Sequence, residues 1–299
     1  EKIADEIPYL VGGSADLGPS NRTYLDAYSD IQKNSFAGRN FRFGIREHAM
    51  GAIANGLALS GLRPFTATFL VFSDYMRGAI RMAALMGLPA IYVFTHDSIY
   101  VGGDGPTHQP VEHLANLRAV PNLEVIRPAD AEETKEAWIS AIKKNDGPTA
   151  IILSRQKLPQ IEKINGISDF NKGGYIVSEE EGDNLDVSLL ATGSEVALAG
   201  KVAKRLRDEN LKLRVVSIPN REEFLAQEQD YIEQTLGDRD SLRVVLEAGV
   251  SQGWYRILEG QDYVVSIEEF GLSAPGERVA EEFGFSIDQI ISDIINKLD

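Results

Sequence analysis

The stretch FRFGIREHAM, residues 41 to 50, sets Arg42, Arg46, Glu47 and His48 directly ahead of the almost uncharged run AIANGLALSG. A surface helix keeps its charges on one face. This arrangement instead points to a carboxylate, Glu47, carried on a buried helix at a strand-to-helix junction. Such a group either steadies the helix N-terminus through the macrodipole or, desolvated, hydrogen-bonds a ligand nitrogen. Phe69, Phe72 and Tyr75 follow at a spacing of three. On a helix that spacing belongs to a core, yet the trio straddles the next strand-to-helix junction, where flat rings can hold a flat heteroaromatic group.

The segment THDSIYVGGDGPTHQPVEH, residues 95 to 113, holds three of the chain's four histidines. Gly102, Gly103 and Gly105 permit unusual dihedrals or close backbone approach, and Pro106 and Pro110 stiffen the loop. The imidazoles suit substrate oxygen and phosphate, and Asp104 suits a hydroxyl. No helical His-x-x-x-His pair occurs, so no metal ligands are assigned. Arg155, in LSRQ, stands at the end of an expected strand, where a guanidinium can take a phosphate.

These residues need a scaffold, and the pattern supplies one. PYLVGG, RPFTATFLVF, PAIYVFTH, LEVIRPAD and TAIILSR are strand-like, and helical stretches alternate with them: REHAMGAIANGLALSG, SDYMRGAIRMAALMG, VEHLANLRAV and AEETKEAWISAIKKNDG. A second series follows, with strands in DVSLLATG, KLRVVSIP, RVVLEAG and YVVSIEEFG. Its helices are SEVALAGKVAKRLRDENL, with Ser194 as the expected N-cap, and the terminal IDQIISDIINKLD. The expected fold is α/β: two doubly wound domains, each with a mostly parallel sheet flanked by helices. The predicted boundaries are residues 1–165, a polar glycine-rich connection at 166–184 with room for a short hairpin, and 185–299. In such sheets ligands sit beyond the carboxyl ends of the strands.

A chain of 299 residues with 43% hydrophobic and 25% charged content is ordinary for a two-domain protein. Its net charge of −15 argues against nucleic acid or an anionic membrane as partner. The absence of cysteine excludes disulfides, zinc thiolates and thiol nucleophiles, and fits a cytoplasmic setting. No apolar run approaches a membrane span.

Taken together, GGSADLGPSN (12–21), FGIREHAM (43–50), the aromatic trio, THDSI with GDGPTHQP, and SRQKLPQ (154–160) resemble transketolase. LLATGSEV, EAGVSQGWY and FGLSAPGE extend the resemblance over essentially the whole chain. It implies a transferase of the pentose phosphate pathway that moves a two-carbon ketol unit from a ketose phosphate to an aldose phosphate with thiamine diphosphate. Glu47 resembles the glutamate that hydrogen-bonds the cofactor's aminopyrimidine. Phe69, Phe72 and Tyr75 look like that ring's pocket, and His108 like the residue beside the reacting carbons. Asp104 looks like a ligand for a sugar hydroxyl. His96, Arg155 and Ser20 look like sugar-phosphate ligands, and Asp16 shares Ser20's motif.

Two positions depart from the family pattern: Gly103 stands where glutamate is usual, and Tyr100 where a small residue is common. The opening EKIADEI, without methionine, points to a fragment or a processed chain. The diphosphate-binding N-terminal domain, with its Mg2+ or Ca2+, is expected on another module or subunit. The resemblance therefore implies half a cofactor site, a homodimer, and little cofactor affinity in isolation. Two other readings remain open: a 1-deoxyxylulose-5-phosphate synthase-like enzyme, and a non-catalytic interaction module of the same fold. A structural alternative makes Glu47, Asp16 and the histidines a salt-linked network that holds the sheet edge.

Overall fold

The computed structural model describes residues 2–182, 184–237 and 239–298. Strands β1 (Leu10–Ser14), β2 (Asn40–Arg42), β3 (Arg63–Phe69), β4 (Ile91–Thr95), β5 (Glu124–Ile126) and β6 (Thr149–Ile152) form one sheet in the order β2-β1-β3-β4-β6-β5. Every pairing in it is parallel. Helices α1 (Lys2–Glu6), α2 (Gly18–Asn21), α3 (Glu47–Leu59), α4 (Ser73–Leu85), α5 (His113–Arg118) and α6 (Ala131–Lys143) alternate with these strands.

The side-chain period of a strand explains how both faces are covered. On β4 and β6, Ile91, Val93 and Ile151 join a core with Ala137 and Ala141 of α6. Tyr92, Phe94, Ala150 and Ile152 join a second core with Met50 of α3 and Met76 and Ile80 of α4. Buried on both sides, these strands read as continuous apolar runs.

The second sheet contains β7 (Tyr175–Ser178), β8 (Val187–Ala191), β9 (Leu213–Ser217), β10 (Leu242–Leu246) and β11 (Tyr263–Val265), in the order β11-β10-β8-β9-β7. It is parallel except for β7, which runs antiparallel to β9 at the edge. Helices α7 (Glu195–Arg207), α8 (Arg221–Leu225), α9 (Gln229–Leu236), α10 (Gly276–Glu282) and α11 (Ile287–Leu298) flank it. Val187, Leu189, Val215, Val244 and Leu246 point to α7 and α11, and this core is continuous with the α6 side of the first sheet.

Three local expectations change. GGYIVS, inside the stretch expected to be a connection, forms β7 and pairs with a strand distant in sequence rather than in a hairpin. Ser194 takes the expected N-cap position of α7 but makes no side-chain cap bond, because its hydroxyl donates to the Glu195 carboxylate at 2.6 Å. Side-chain caps occur instead at Asp130 on α6 and Asn220 on α8. Helix α3 is buried along one face only, leaving Ile53 and Leu59 exposed. Among the described residues no helix is long and apolar enough to cross a membrane.

Candidate functional site

Because all six strands of the first sheet are parallel, their carboxyl ends share one edge. Asp16 and Ser20 follow β1, Glu47 opens α3 after β2, and Phe69 closes β3. Phe72 and Tyr75 lie in the turn and helix after it. His96, Asp104 and His108 follow β4, and Arg155 follows β6. The ten residues singled out from the sequence thus come from five loops to one side of one sheet.

At this edge the rings form a connected wall. Phe69 stacks on Phe72 with centroids 5.9 Å apart, and Phe72 on Tyr75 at 6.1 Å. Two histidines complete it: His96 lies over Phe69 at 3.7 Å, and His108 meets Phe72 edge-on at 5.6 Å. Offset stacks and T-contacts of this kind are the favoured aromatic geometries. The spacing of three therefore serves here as a junction, with Tyr75 66% exposed at the end of the wall.

Glu47 is 8% exposed at the first residue of α3. Its carboxylate has no hydrogen bond or ion pair with any described residue. A carboxylate so placed is normally paired, so it is an acceptor left open at the ring-lined edge. The salt-linked network proposed as an alternative is not seen: neither Glu47 nor Asp16 forms an ion pair among the described residues. His113 instead pairs with Asp74 at 3.2 Å.

His96 carries a left-handed backbone, φ +60°, as does Asp16 at +64°. A non-glycine residue there costs about 1–2 kcal/mol, which surrounding contacts must offset. Thr95 Oγ1 lies 2.9 Å from His96 Nδ1 and accepts a bond from Asn21 Nδ2 at 2.7 Å. Burial, and then the nearby Arg155 guanidinium, hold the His96 imidazole below its usual pKa, against the opposing charges of Asp97 and Asp104. The edge is therefore set to keep His96 neutral in isolation, while Arg155 keeps a positive charge nearby. Thr107 Oγ1 contacts His108 Nδ1 at 3.0 Å. Asp16, Ser20, Asp104 and Arg155 are exposed. Gly103 has open space around its Cα, so no packing constraint accounts for a glycine there. Tyr100 packs against the second domain, its backbone against Gly276.

A cavity of about 880 Å³ adjoins β1 and β2, lined by Leu10, Phe65 and Trp138 and by Ser14, Arg22 and Arg42. Of the ten candidate residues only Asp16 borders it, so the cavity and the ring wall are separate features. One metal-capable group occurs among the described residues, Asp74, Glu112 and His113, and its histidine is already bonded to Asp74.

The pattern gave no warning of a buried ionic joint behind this edge. Arg127 is fully buried; its Nε donates to Asp97 at 2.9 Å, and its Nη2 lies 2.8 Å from the same carboxylate oxygen as an ion pair. Its Nη1 donates to Thr192 and to the Glu195 carboxylate of the second domain. Burial alone would lower the Arg127 pKa, but Glu195 and Asp97 outweigh it and the guanidinium stays charged. Beside it, Arg118 forks onto Glu247 with two bonds of 2.7 Å. The only sequence signal was arginine in RPAD and glutamate in GSE and EAG, each in a different element.

Comparison with known proteins identifies the scaffold. The transketolase pyrimidine-binding domain family matches residues 1–160, and the transketolase-like C-terminal domain family matches residues 173–286. The chain belongs to the transketolase family. It is 49% identical to the transketolase of Bacillus subtilis, over 99% of this chain and 45% of that protein. With the transketolase of Halalkalibacterium halodurans it shares 50% identity, over 97% of this chain and 44% of the relative. The chain thus spans less than half the length of these relatives and corresponds to their C-terminal part. A solved Pichia stipitis transketolase in complex with sedoheptulose-7-phosphate superposes with a TM-score of 0.92 at 39% identity, over 99% of this chain and 44% of that one. A split-gene transketolase solved as an inactive β4 tetramer superposes at 0.77 with 26% identity, covering 99% of this chain and 94% of that one.

Proposed function

We propose that this chain supplies the pyrimidine-binding half and the sugar-phosphate ligands of a cytoplasmic transketolase site. In this reading a two-carbon ketol unit passes from a ketose phosphate to an aldose phosphate. The observation that carries it is Glu47: a buried carboxylate without a partner, on the same sheet edge as a wall of Phe69, Phe72 and Tyr75. An aminopyrimidine fits such a place, since it needs one acceptor and flat apolar walls. Thiamine diphosphate, when bound, supplies the electron sink for carbon–carbon bond cleavage.

The chain's own residues do the rest. Glu47 would accept a hydrogen bond from the pyrimidine's ring N–H, which its imino tautomer presents, and a water-poor setting strengthens it. The three aromatic rings hold the heterocycle and exclude water. His108, edge-on to Phe72, is placed to hold or pass a proton at the substrate's reacting oxygen, and Asp104 takes a hydroxyl. Arg155, with His96 and Ser20, takes the phosphate, and phosphate binding raises the His96 pKa toward the charged form. Asp16 stands in the same loop as Ser20.

The diphosphate and its Mg2+ or Ca2+ belong, in this reading, to a transketolase N-terminal domain or subunit. Helices α3 and α4, which pack on one another, leave Ile53, Leu59, Met82 and Leu85 uncovered, an apolar face suited to a second copy or to that module. The inactive β4 tetramer of a split-gene relative supports the need for a partner.

The deciding experiment mixes this chain with a transketolase N-terminal domain, Mg2+ and thiamine diphosphate, and follows ketol transfer between sugar phosphates. Transfer is expected with the mixture, none with the chain alone, and a loss of about 100-fold or more in Glu47→Ala. Full activity in Glu47→Ala would favour a non-catalytic module. Pyruvate decarboxylation in place of ketol transfer would favour the 1-deoxyxylulose-5-phosphate synthase reading.

A further inference from the structure

The second domain contributes none of the candidate ligands, yet it grips the loop that carries three of them at both ends. At the loop's start, Asp97 is 2% exposed and follows His96 directly. Its carboxylate is held by Arg127, which is held in turn by Thr192 and Glu195 of the second domain. At the loop's end, Gln109 is buried and follows His108 directly. Its Nε2 donates to Gly102 O at 2.8 Å within the loop and to Leu272 O at 2.8 Å in the second domain.

The strap around Leu272 fits this loop closely. Ser273 Oγ donates to Gly103 O at 3.0 Å. Gly102 has φ +75°, and a Cβ there would lie 2.9 Å from Gly276 N. A Cβ on Gly271 would fall 1.5 Å from Gln109 Oε1, so a side chain there would push the Gln109 amide from its place against the strap. Loop 96–109 leaves β4 through a strained His96 and includes an exposed stretch at Gly103 and Asp104. Its own order is a 3-10 turn at Ile99–Asp104, broken at Gly102, and a few short turn bonds, so contacts from outside add to what sets its course.

We propose that the second domain is the positioning template of this loop, with Arg127 and Gln109 as positioning residues for His96 and His108. Arg127 fixes Asp97 and hence the left-handed turn that lays His96 on Phe69. Gln109 ties the end of the loop to the strap and so fixes His108 against Phe72. Neither residue touches substrate in this scheme. The inference rests on the proposed sugar-phosphate site, and its test has a readout that does not.

That test uses the whole chain. The ring signals of the four histidines are assigned by NMR from single His→Gln variants, then followed in Gln109→Leu and Glu195→Gln. Glu133→Gln serves as a control: Glu133 is an equally buried acid that links the domains through Tyr175 and Ser217 and has no bond to loop 96–109. Gln109→Leu is expected to shift or broaden His108, Glu195→Gln to do so for His96, and Glu133→Gln to lower the thermal midpoint while leaving both signals in place. With the N-terminal domain added, the two loop variants should raise the sugar-phosphate KM or lower kcat by about tenfold, the effect of roughly one positioning hydrogen bond. If His96 and His108 keep their signals in both loop variants, or move equally in the control, the proposal is overturned. If the unmodified mixture shows no ketol transfer, the proposed function falls, and the ring signals still decide the positioning.

Discussion

Arg118→Met should be strongly destabilising at the domain joint. Arg118 and Glu247 are 2% and 1% exposed in their side chains and meet in a forked pair. Trp254 Nε1 and Thr192 Oγ1 each add a bond of 3.0 Å to the same carboxylate. Burial by itself would raise the Glu247 pKa. Arg118 overcomes that and brings it from 4.5 down to about 2. At about 1.4 kcal/mol per pH unit, that interval corresponds to about 3 kcal/mol of stabilisation of the charged form. Because the folded value lies below the unfolded one, this contribution is complete above pH 4.5 and is lost as the pH falls toward 2. Removing the arginine leaves a buried carboxylate with two neutral donors, a loss of about 3–5 kcal/mol at neutral pH. Urea unfolding followed by circular dichroism at pH 7, repeated at several acid pH values, measures both effects. The variant should unfold at much lower urea, and its acid decline between pH 4.5 and 2 should flatten or reverse. Adding Glu247→Gln should recover most of the loss. A variant within 1 kcal/mol of the parent at pH 7, or one with the parent's acid profile, would refute the reasoning.

Arg155→Ala removes the positive charge that helps depress His96, so an NMR titration should show the His96 pKa rising toward its usual value; no change would mean that burial alone sets it. The depressed His96 value also predicts a small stability contribution that is present above the unfolded pKa and lost as pH falls through the folded one. Gly271→Ala drives a methyl into Gln109 and should cost about 1–3 kcal/mol in thermal unfolding, whereas an alanine at the open Gly103 should be neutral within about 0.5 kcal/mol. Calorimetry of the chain alone with thiamine diphosphate and Mg2+ should show no binding in the micromolar range, and micromolar binding would contradict the half-site reading. His108→Gln should lower ketol transfer strongly in the assembled enzyme and leave the melting temperature nearly unchanged; a large melting shift without a rate effect would give His108 a structural role.

The sequence alone determined the mostly parallel architecture, because strand-like runs alternate with helical stretches and each helical crossover returns the chain in the same direction. It also placed the ten candidate residues at strand ends, since chain order and parallel pairing send every such end to one edge. It misjudged what depends on distant partners. GGYIVS looked like part of a linker because an edge strand's identity lies in β9, some forty residues away. Ser194 holds the cap position, but Arg127 and Glu195 claim its hydroxyl. The stacking of His96 on Phe69 and the grip of the second domain on loop 96–109 were likewise decided by tertiary structure. Local propensity and periodicity act over a few residues, whereas buried charges such as Arg127 find their counter-charges only when two separately patterned domains close on each other.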